Sequence, residues 1–405
     1  MSAVTADDVA AARPAVEEIA RRTPILSSRT ISERAGGVVA LKAENLQATG
    51  SFKVRGVAAK LAALGAEGCA RGVVAASAGN HAQALAAGAR AHGLPCEVFV
   101  PRDAPLSKVE AARGQGATVH VGGDSVDECL ARAQERAREG GLAFVHPFDD
   151  PAVVAGQGSL GLELLEDVPD LARIVVPVGG GGLCAGIAIA VKSARPEVQV
   201  IGVQVAACAP YPESLRRGEP VPASSALTIA DGIAVKRPGE LTFELLARWA
   251  DEVVVVDEDA TAEAMVVLME RCKLVVEGAG AVGVAALLGG QVAATDAGTT
   301  VAVLSGGNVD PGLLASVARR HETEAGRRLV LITRVADRPG NLASLLAQIA
   351  DSGANIVDVA HVREGLDLHV RETAIELVLE TRGHEHADSV VGGLRDAGYE
   401  TRVLH

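Results

Sequence analysis

The sequence predicts an α/β protein with wound, mostly parallel sheets, followed by a smaller α/β unit at the C-terminus. Three observations favour this fold class. Short apolar runs typical of buried strands alternate with helical patterns, glycine-rich turns join them, and the C-terminal part has its own order of strands and helices. The 405 residues, of which 48% are hydrophobic, are enough for two or three domains.

The most informative turn contains a lysine. Lys53 lies in the polar, glycine-flanked segment Thr49–Gly56 and opens a helix that continues to Ala62. The positive end of a helix dipole disfavours an ammonium group, so this position favours the neutral, nucleophilic amine. An isolated lysine at a helix start more often has no chemical role. The neighbouring motifs therefore decide between the two interpretations.

Three further turns have the same form. Ser77–His81 precedes an alanine-rich helix, Gly179–Gly182 separates a strand from an apolar helix, and Ser305–Asn308 follows another strand. In wound α/β sheets, ligands bind where strands end and helices begin, because the N–H groups at helix starts are unpaired and attract anions. Each turn alone is weak or moderate evidence of a ligand site. The four together predict one shared anionic ligand.

Four segments resemble the threonine and serine dehydratase branch of the fold type II (tryptophan-synthase-β-like) pyridoxal-phosphate enzymes: Lys42–Lys53, Ser77–His81, Gly179–Gly182 and Ser305–Asn308. The resemblance covers about residues 10–320, in the order of the family. It implies a catalytic domain over residues 1–320, with a smaller subdomain inserted at roughly residues 47–150.

The resemblance also implies the roles of individual residues. Lys53 would hold the cofactor pyridoxal 5′-phosphate covalently and, once substrate displaces it, accept the proton from Cα of the substrate. Phe52 would pack on one face of the ring, and Asn80 would bind the ring hydroxyl. Glycines let the phosphate approach backbone N–H groups closely. The predicted cofactor-binding residues are Phe52, Lys53, Asn80, Gly179, Gly180, Gly181, Gly182, Leu183, Gly232 and Ser305.

A second group of residues is predicted to hold the substrate carboxylate at a helix N-terminus: Ser77, Ala78, Gly79, Asn80 and His81. Two assignments stay open. His81 either contacts the ligand or is a helix-start histidine satisfied by the backbone. Glu277 either lies near the cofactor, as the resemblance suggests, or caps a helix. A catalytic role is not assigned to Glu277.

Ser305 indicates the type of reaction. An aspartate facing the pyridine nitrogen would keep the ring strongly electron-withdrawing, whereas a serine hydroxyl shares only a neutral hydrogen bond. The weaker electron sink favours prompt loss of a β-hydroxyl. The resemblance therefore implies deamination of L-threonine to 2-oxobutanoate and ammonia, with activity on L-serine to give pyruvate. The preference between these substrates and a biosynthetic (isoleucine) or catabolic role stay open.

Related reactions are the main alternatives. A serine dehydratase and a serine or threonine racemase belong to the same family. The racemase branch commonly has a second serine where this chain has Ala78, and threonine synthases usually have an aspartate where it has Val54. Both departures favour elimination. The stretch Gln204–Pro210 supplies no carboxylate for the divalent-metal site of racemase-like relatives, so no metal is predicted, although a monovalent cation stays open.

Two other functional classes fit the sequence less well. Gly278–Gly283 matches a dinucleotide-binding fingerprint and follows the strand-like Leu274–Val276, which would suit a nicotinamide-dependent oxidoreductase. A convincing ribose-binding acid is lacking, and the four turns would be left unexplained. A noncatalytic amino-acid sensor is disfavoured by Lys53.

Composition narrows the partners. The net charge of -13, without a basic run, argues against nucleic acid. No apolar stretch approaches the ~20 residues of a membrane span, and the N-terminus does not resemble a signal peptide. Six cysteines without CxxC pairs indicate neither zinc nor a disulfide framework. We expect a cytoplasmic homodimer or homotetramer that acts on a small amino acid.

The C-terminal residues 327–405 follow a charged segment, residues 321–326, that we interpret as a linker. Their predicted βαββαβ order is ferredoxin-like. The unit resembles the amino-acid-binding ACT regulatory domain, which implies an allosteric effector such as isoleucine or valine; a purely dimerising role is the alternative. The residues that carry this resemblance, and the predicted regulatory site, are Asp337, Arg338, Pro339, Gly340 and Asn355.

Overall fold

The computed structural model describes residues 4–77, 79–102, 104, 106–225, 227–293, 295–364 and 368–404, with only the backbone of Ser107 and Asp127. It divides into two compact units, residues 1–310 and 311–405. Among the described residues, no helix is long and apolar enough to cross a membrane.

The strands of the described residues are β1 (Ile25–Ser27), β2 (Val39–Lys42), β3 (Val73–Ala76), β4 (Cys96–Val100), β5 (Thr118–Val121), β6 (Ala143–Phe144), β7 (Leu171–Pro177), β8 (Gln199–Val205), β9 (Glu252–Val256), β10 (Thr299–Val303), β11 (Arg328–Ala336), β12 (Asn355–Val362), β13 (Glu372–Glu380) and β14 (Thr401–Leu404). The helices are α1 (Ala6–Ile19), α2 (Arg29–Ala35), α3 (Lys53–Gly68), α4 (Asn80–Ala91), α5 (Leu106–Gly114), α6 (Val126–Gly140), α7 (Pro151–Asp167), α8 (Gly182–Ala194), α9 (Pro210–Arg217), α10 (Glu240–Trp249), α11 (Glu258–Cys272), α12 (Gly278–Leu288), α13 (Pro311–Glu324), α14 (Asn341–Asp351) and α15 (His384–Asp396). Single 3₁₀ turns span Glu44–Leu46 and Asp231–Ile233.

The first unit contains two sheets. The larger has the order β1-β2-β10-β7-β8-β9 and is parallel except for the antiparallel pairing of β1 with β2. The smaller is a parallel sheet of order β5-β4-β3-β6, formed within residues 73–144 of the chain. Parallel sheets of this kind need crossover helices, which explains the alternating pattern of the sequence.

The main core lies around α7 and α8. Helix α8 is apolar on all sides and buried over residues 182–191, as expected of a helix enclosed by the protein. Glycines let α7 approach it closely: a Cβ on Gly158 would lie 2.8 Å from the carbonyl oxygen of Gly186, and a Cβ on Gly161 would lie 2.9 Å from Cβ of Ala190. This packing fixes the start of α8, where the glycine run lies.

The second unit contains an antiparallel sheet of order β12-β13-β11-β14 with α14 and α15, preceded by α13. The order from β11 onward is βαββαβ, with its own core that includes Leu331, Leu345, Ile375 and Leu394. One boundary differs from the sequence interpretation: residues 321–324 end helix α13 and are not a linker. A charged segment is equally typical of an exposed helix, which explains the difference.

Candidate active site

The lysine turn lies directly against the Ser305 turn. The backbone N–H of Phe52 donates to the carbonyl oxygen of Ser305 at 3.1 Å, and that of Gly307 donates to Gly50 at 2.9 Å. Nδ2 of Asn308 donates to the carbonyl oxygen of Thr49 at 2.9 Å. Two segments that are far apart in sequence are thus held together by hydrogen bonds at the carboxyl end of β10, as expected for ligand sites of wound sheets.

The environment of Lys53 favours its neutral amine. Burial lowers the pKa of Lys53 to about 8, and the nearby Glu277 carboxylate only partly opposes this shift. The amine Nζ donates to the carbonyl oxygen of Pro147 at 2.9 Å and lies 5.2 Å from the ring centre of Phe52. The sequence argument relied on the helix dipole, whereas the structure shows desolvation to be the main cause.

The glycine run forms a tight turn between β7 and α8. Gly181 has a φ of 95°, in the left-handed region that favours glycine. The ring of Phe148 packs where a Cβ of Gly180 would be, and the hydroxyl of Tyr211 packs where a Cβ of Gly181 would be. The first N–H groups of α8 have no acceptor within the helix, so they are available to an anion.

One cavity brings these turns together and encloses about 540 Å³. All ten predicted cofactor-binding residues line it, from Phe52 and Lys53 to Ser305. The structure thereby places them in one site, while their individual roles stay predictions. Sequence reasoning missed other lining residues, which carry no motif and reach the cavity only through long-range packing: Pro147, Phe148, Gln157, Pro177, Ile233, Val235 and Ala279.

The predicted substrate turn is only partly at the cavity. Of its described residues, Asn80 lines the cavity, whereas Ser77, Gly79 and His81 do not; Ala78 lies outside the described residues. The hydroxyl of Ser77 accepts from the N–H of Gly79 at 3.1 Å. Ring nitrogen Nε2 of His81 is 3.0 Å from the carbonyl oxygen of Val145. Burial, together with Lys53, lowers the pKa of His81 to about 3, so the neutral ring donates to the backbone, as in the non-ligand interpretation.

Glu277 is a buried carboxyl group inside the cavity. It stands at the N-cap position of α12, but its side chain does not cap the helix, so that alternative is wrong. Instead, Oε1 accepts from Nδ2 of Asn80 at 2.7 Å, and Oδ1 of Asn80 accepts from Nδ2 of Asn308 at 2.8 Å. Burial, reinforced by Asp231, raises the pKa of Glu277 to about 7. These bonds fix the amide of Asn80 and leave its second N–H for a ligand.

The dinucleotide interpretation is wrong. Residues 273–277 are not a strand, and Gly278–Gly283 form the first turns of the buried helix α12. A Cβ on Gly278 would lie 2.5 Å from the carbonyl oxygen of Ile229, and one on Gly280 would lie 2.7 Å from that of Gly306. These glycines serve close packing of the backbone, not a βαβ phosphate turn.

A family model described as "Pyridoxal-phosphate dependent enzyme" matches residues 16–306. The chain belongs to this family. An L-threonine ammonia-lyase of Thermotoga maritima is 45% identical over 407 residues, covering 99% of this chain and 100% of that protein. An L-threonine ammonia-lyase of Geobacter sulfurreducens is 47% identical over 385 residues, covering 95% of each chain.

Solved structures of family members are similar to the first unit in size. A threonine deaminase from the organism abbreviated T.th. is 40% identical with a TM-score of 0.71, covering 76% of this chain and 99% of that one. Maize serine racemase is 33% identical with a TM-score of 0.75, covering 80% of this chain and 99% of that one.

The residues of the cavity fit the cofactor of this pyridoxal-phosphate family. Lys53 offers a neutral amine for the covalent link, and the start of α8 offers N–H groups without side chains in the way. The second N–H of Asn80 suits a ring hydroxyl. The donor set thus provides for an aldehyde, a phosphate and a hydroxyl in a single cavity.

The predicted regulatory residues lie at two different ends of the C-terminal sheet. The turn Asp337–Gly340 follows Ala336, which pairs with Glu372, whereas Asn355 pairs with Glu380 at the other end of β13. Asp337 accepts from Nη1 of Arg363 at 3.1 Å, and Asn355 donates to Glu380 at 3.0 Å. Within one chain these residues do not form a single site, because the whole length of β11 separates them.

Proposed function

We propose that the chain deaminates L-threonine to 2-oxobutanoate and ammonia, and L-serine to pyruvate and ammonia. The observation that carries the proposal is the neutral-favouring Lys53 amine in one cavity with the glycine run and Ser305. Two relatives named L-threonine ammonia-lyase match over 95% or more of this chain, which supports threonine as substrate.

The residues of the chain have separable tasks in this reaction. Pyridoxal phosphate, when bound, holds the substrate amine and withdraws electrons from Cα. Lys53 binds the cofactor and, once released by substrate, accepts the Cα proton at Nζ, for which a pKa near 8 is well matched to neutral pH. The α8 N-terminus orients the phosphate, and Asn80, fixed by Glu277, orients the ring.

Ser305 biases the reaction towards elimination. Its hydroxyl can share only a neutral hydrogen bond with the ring nitrogen, so negative charge at Cα is not stored for long. The β-hydroxyl leaves with a proton as water. The released enamine tautomerises and takes up water, giving the 2-oxo acid and ammonia, so the atoms of L-threonine are recovered in 2-oxobutanoate and ammonia.

An assay of 2-oxo acid formation tests the proposal. Purified protein with pyridoxal phosphate is given L-threonine or L-serine, with and without isoleucine or valine, and 2-oxo acid and ammonia are measured. We expect equal amounts of both products from threonine. Absence of 2-oxo acid from both substrates would reject the proposal.

Racemisation is the second candidate, because maize serine racemase has a similar fold. Its expected product is the D-amino acid without ammonia, so chiral chromatography of the same reactions separates the two functions. Ala78 cannot donate a proton to the second face of Cα, which favours elimination.

We propose further that the second unit is an ACT-type regulatory domain that binds a free amino acid. Its βαββαβ order and the exposed turn Asp337–Gly340 support this role. The turn and Asn355 can contribute to one site only if different copies meet, so we expect an effector to bind between subunits of a homodimer or homotetramer. Equilibrium dialysis with isoleucine and valine, combined with light scattering, tests for both binding and assembly.

A further inference from the structure

The glycine run can hold an anion only if its N–H groups face the cavity, which requires its carbonyl groups to point elsewhere. The carbonyl oxygen of Gly180 accepts a hydrogen bond from the hydroxyl of Tyr211 at 3.1 Å. Tyr211 is fully buried, and its hydroxyl packs against Gly181. A buried carbonyl without a partner is unfavourable, so this bond stabilises one orientation of the Gly180 peptide.

Tyr211 is itself fixed from the sheet. Its backbone N–H donates to Oε1 of Gln204 at 2.9 Å, and Nε2 of Gln204 donates to the carbonyl oxygen of Val178 at 3.2 Å. Gln204 is fully buried on β8, beside β7. Its amide therefore ties Tyr211 to the residue that immediately precedes the glycine run.

A second set of bonds approaches Tyr211 from α10. The Tyr211 hydroxyl is 3.4 Å from Oγ1 of Thr242, and the hydroxyl and N–H of Thr242 lie 3.3 and 3.0 Å from Oδ1 of Asp149. The Thr242 proton goes to this carboxylate, which leaves the single Tyr211 proton for Gly180. Burial raises the pKa of Tyr211, so the phenol keeps that proton.

Asp149 belongs to the turn that also supports the lysine. Pro147 accepts the bond from Nζ of Lys53, and Phe148 packs on Gly180. One turn thus touches both the amine and the glycine run. The distance between the covalent and the anion-binding ends of the site is set by the same buried residues.

We infer that Tyr211, held by Gln204 and Thr242, is a positioning residue that turns the N–H groups of Gly179–Gly182 towards the phosphate of the cofactor. The inference rests on the proposed placement of the phosphate at the glycine run. It assigns the buried amide and hydroxyl groups behind that run to cofactor affinity, and no catalytic step to any of them.

Binding of two cofactor forms to the apoprotein tests this inference. Pyridoxal phosphate and pyridoxal, which lacks the phosphate, are titrated separately against the apoprotein, and the absorbance of the lysine-bound form is followed. We expect Tyr211→Phe to weaken pyridoxal phosphate about tenfold or more and to leave pyridoxal affinity unchanged, since an unsatisfied buried carbonyl frees the loop to reorient. Tyr399→Phe, in the second unit, is the matched control.

Thr242→Val provides a second variant with an intact phenol. Loss of its hydroxyl should weaken pyridoxal phosphate in the same direction but less than Tyr211→Phe does. Unchanged pyridoxal phosphate affinity in Tyr211→Phe, or equal weakening of both cofactor forms, would overturn the inference. A wild-type protein without preference for the phosphorylated form would overturn the phosphate placement itself. If that preference is present but threonine is not deaminated, only the proposed reaction fails.

Discussion

Lys53 is stable in an unfavourable environment, and this determines much of the chemistry at the residue scale. Its ammonium form loses hydration on burial, and the carboxyl group that faces it, Glu277, is itself partly protonated near neutral pH. Neither group is held in a strong ion pair. An amine that is free to form a covalent link and then to accept a proton needs such surroundings.

The apoprotein should reveal the burial of Lys53 in its pH dependence. The folded-state pKa is about 8 against an ordinary 10.5, so between these values the unfolded chain binds more protons and stability rises with pH. Relative to Lys53→Met, wild type should gain up to about 3 kcal/mol in unfolding free energy from pH 8 to 10.5, less where solvent screens the half-buried chain.

Urea unfolding of both apoproteins at several pH values measures this difference. The exposed Lys236 gives a matched control in Lys236→Met. Identical pH profiles for wild type and Lys53→Met would contradict the assigned burial.

Ser305 permits a test of the electron-sink argument. Ser305→Asp would hold the ring nitrogen protonated, and we expect kcat for elimination to fall about tenfold or more. Ser305→Asn is the control of equal size without charge. Steady-state kinetics on threonine, with product analysis for pyridoxamine phosphate, should show the loss in the aspartate variant alone; elimination at the wild-type rate there would exclude the argument.

At the scale of elements, a buried ion network fixes the start of α3. Arg55 donates to Glu44 and Glu163 at 2.7 to 2.8 Å, and Lys42 donates to Glu163 at 2.5 Å. The network joins β2, the 3₁₀ turn, α3 and α7, and its charges balance. It holds the helix that begins at Lys53.

Removing one member should be costly. Arg55→Leu leaves the buried Glu44 without its main partner, and we expect about 3–5 kcal/mol of lost stability. Arg216→Leu, which removes an exposed pair with Glu213, is the control and should change little. Thermal denaturation of both variants measures the contrast. Equal melting temperatures would show that the network contributes no net stability.

The elements show what the sequence could and could not predict. Strand and helix patterns placed α14, β12 and β14 at their observed bounds, because their periodicity reflects one buried face. Leu274–Val276 was wrongly interpreted as a strand, since an apolar run does not distinguish a strand from a buried irregular segment. The lysine, glycine and serine turns could be predicted as one site from strand-end logic. Phe148, Tyr211 and the orientation of His81 could not, because they depend on tertiary packing.

At the scale of the whole molecule, the cavity residues all lie in the first unit, residues 1–310, and the second has its own core. A chain ending at Asp310 should therefore retain threonine deamination and lose its response to amino-acid effectors. Kinetics and light scattering of the truncated and full chains, with isoleucine, valine and threonine titrated, measure this. A truncated chain that kept the full effector response would place the sensing site in the first unit.

The most direct test of the central claim compares wild type with Lys53→Ala in the conversion of L-threonine. Wild type should form 2-oxobutanoate and ammonia in equal amounts and show the absorbance of the lysine-bound cofactor. Lys53→Ala should lose that absorbance and reduce turnover by about a thousandfold or more, because both the covalent link and the proton acceptor are removed. Turnover at the wild-type level in Lys53→Ala would contradict the account.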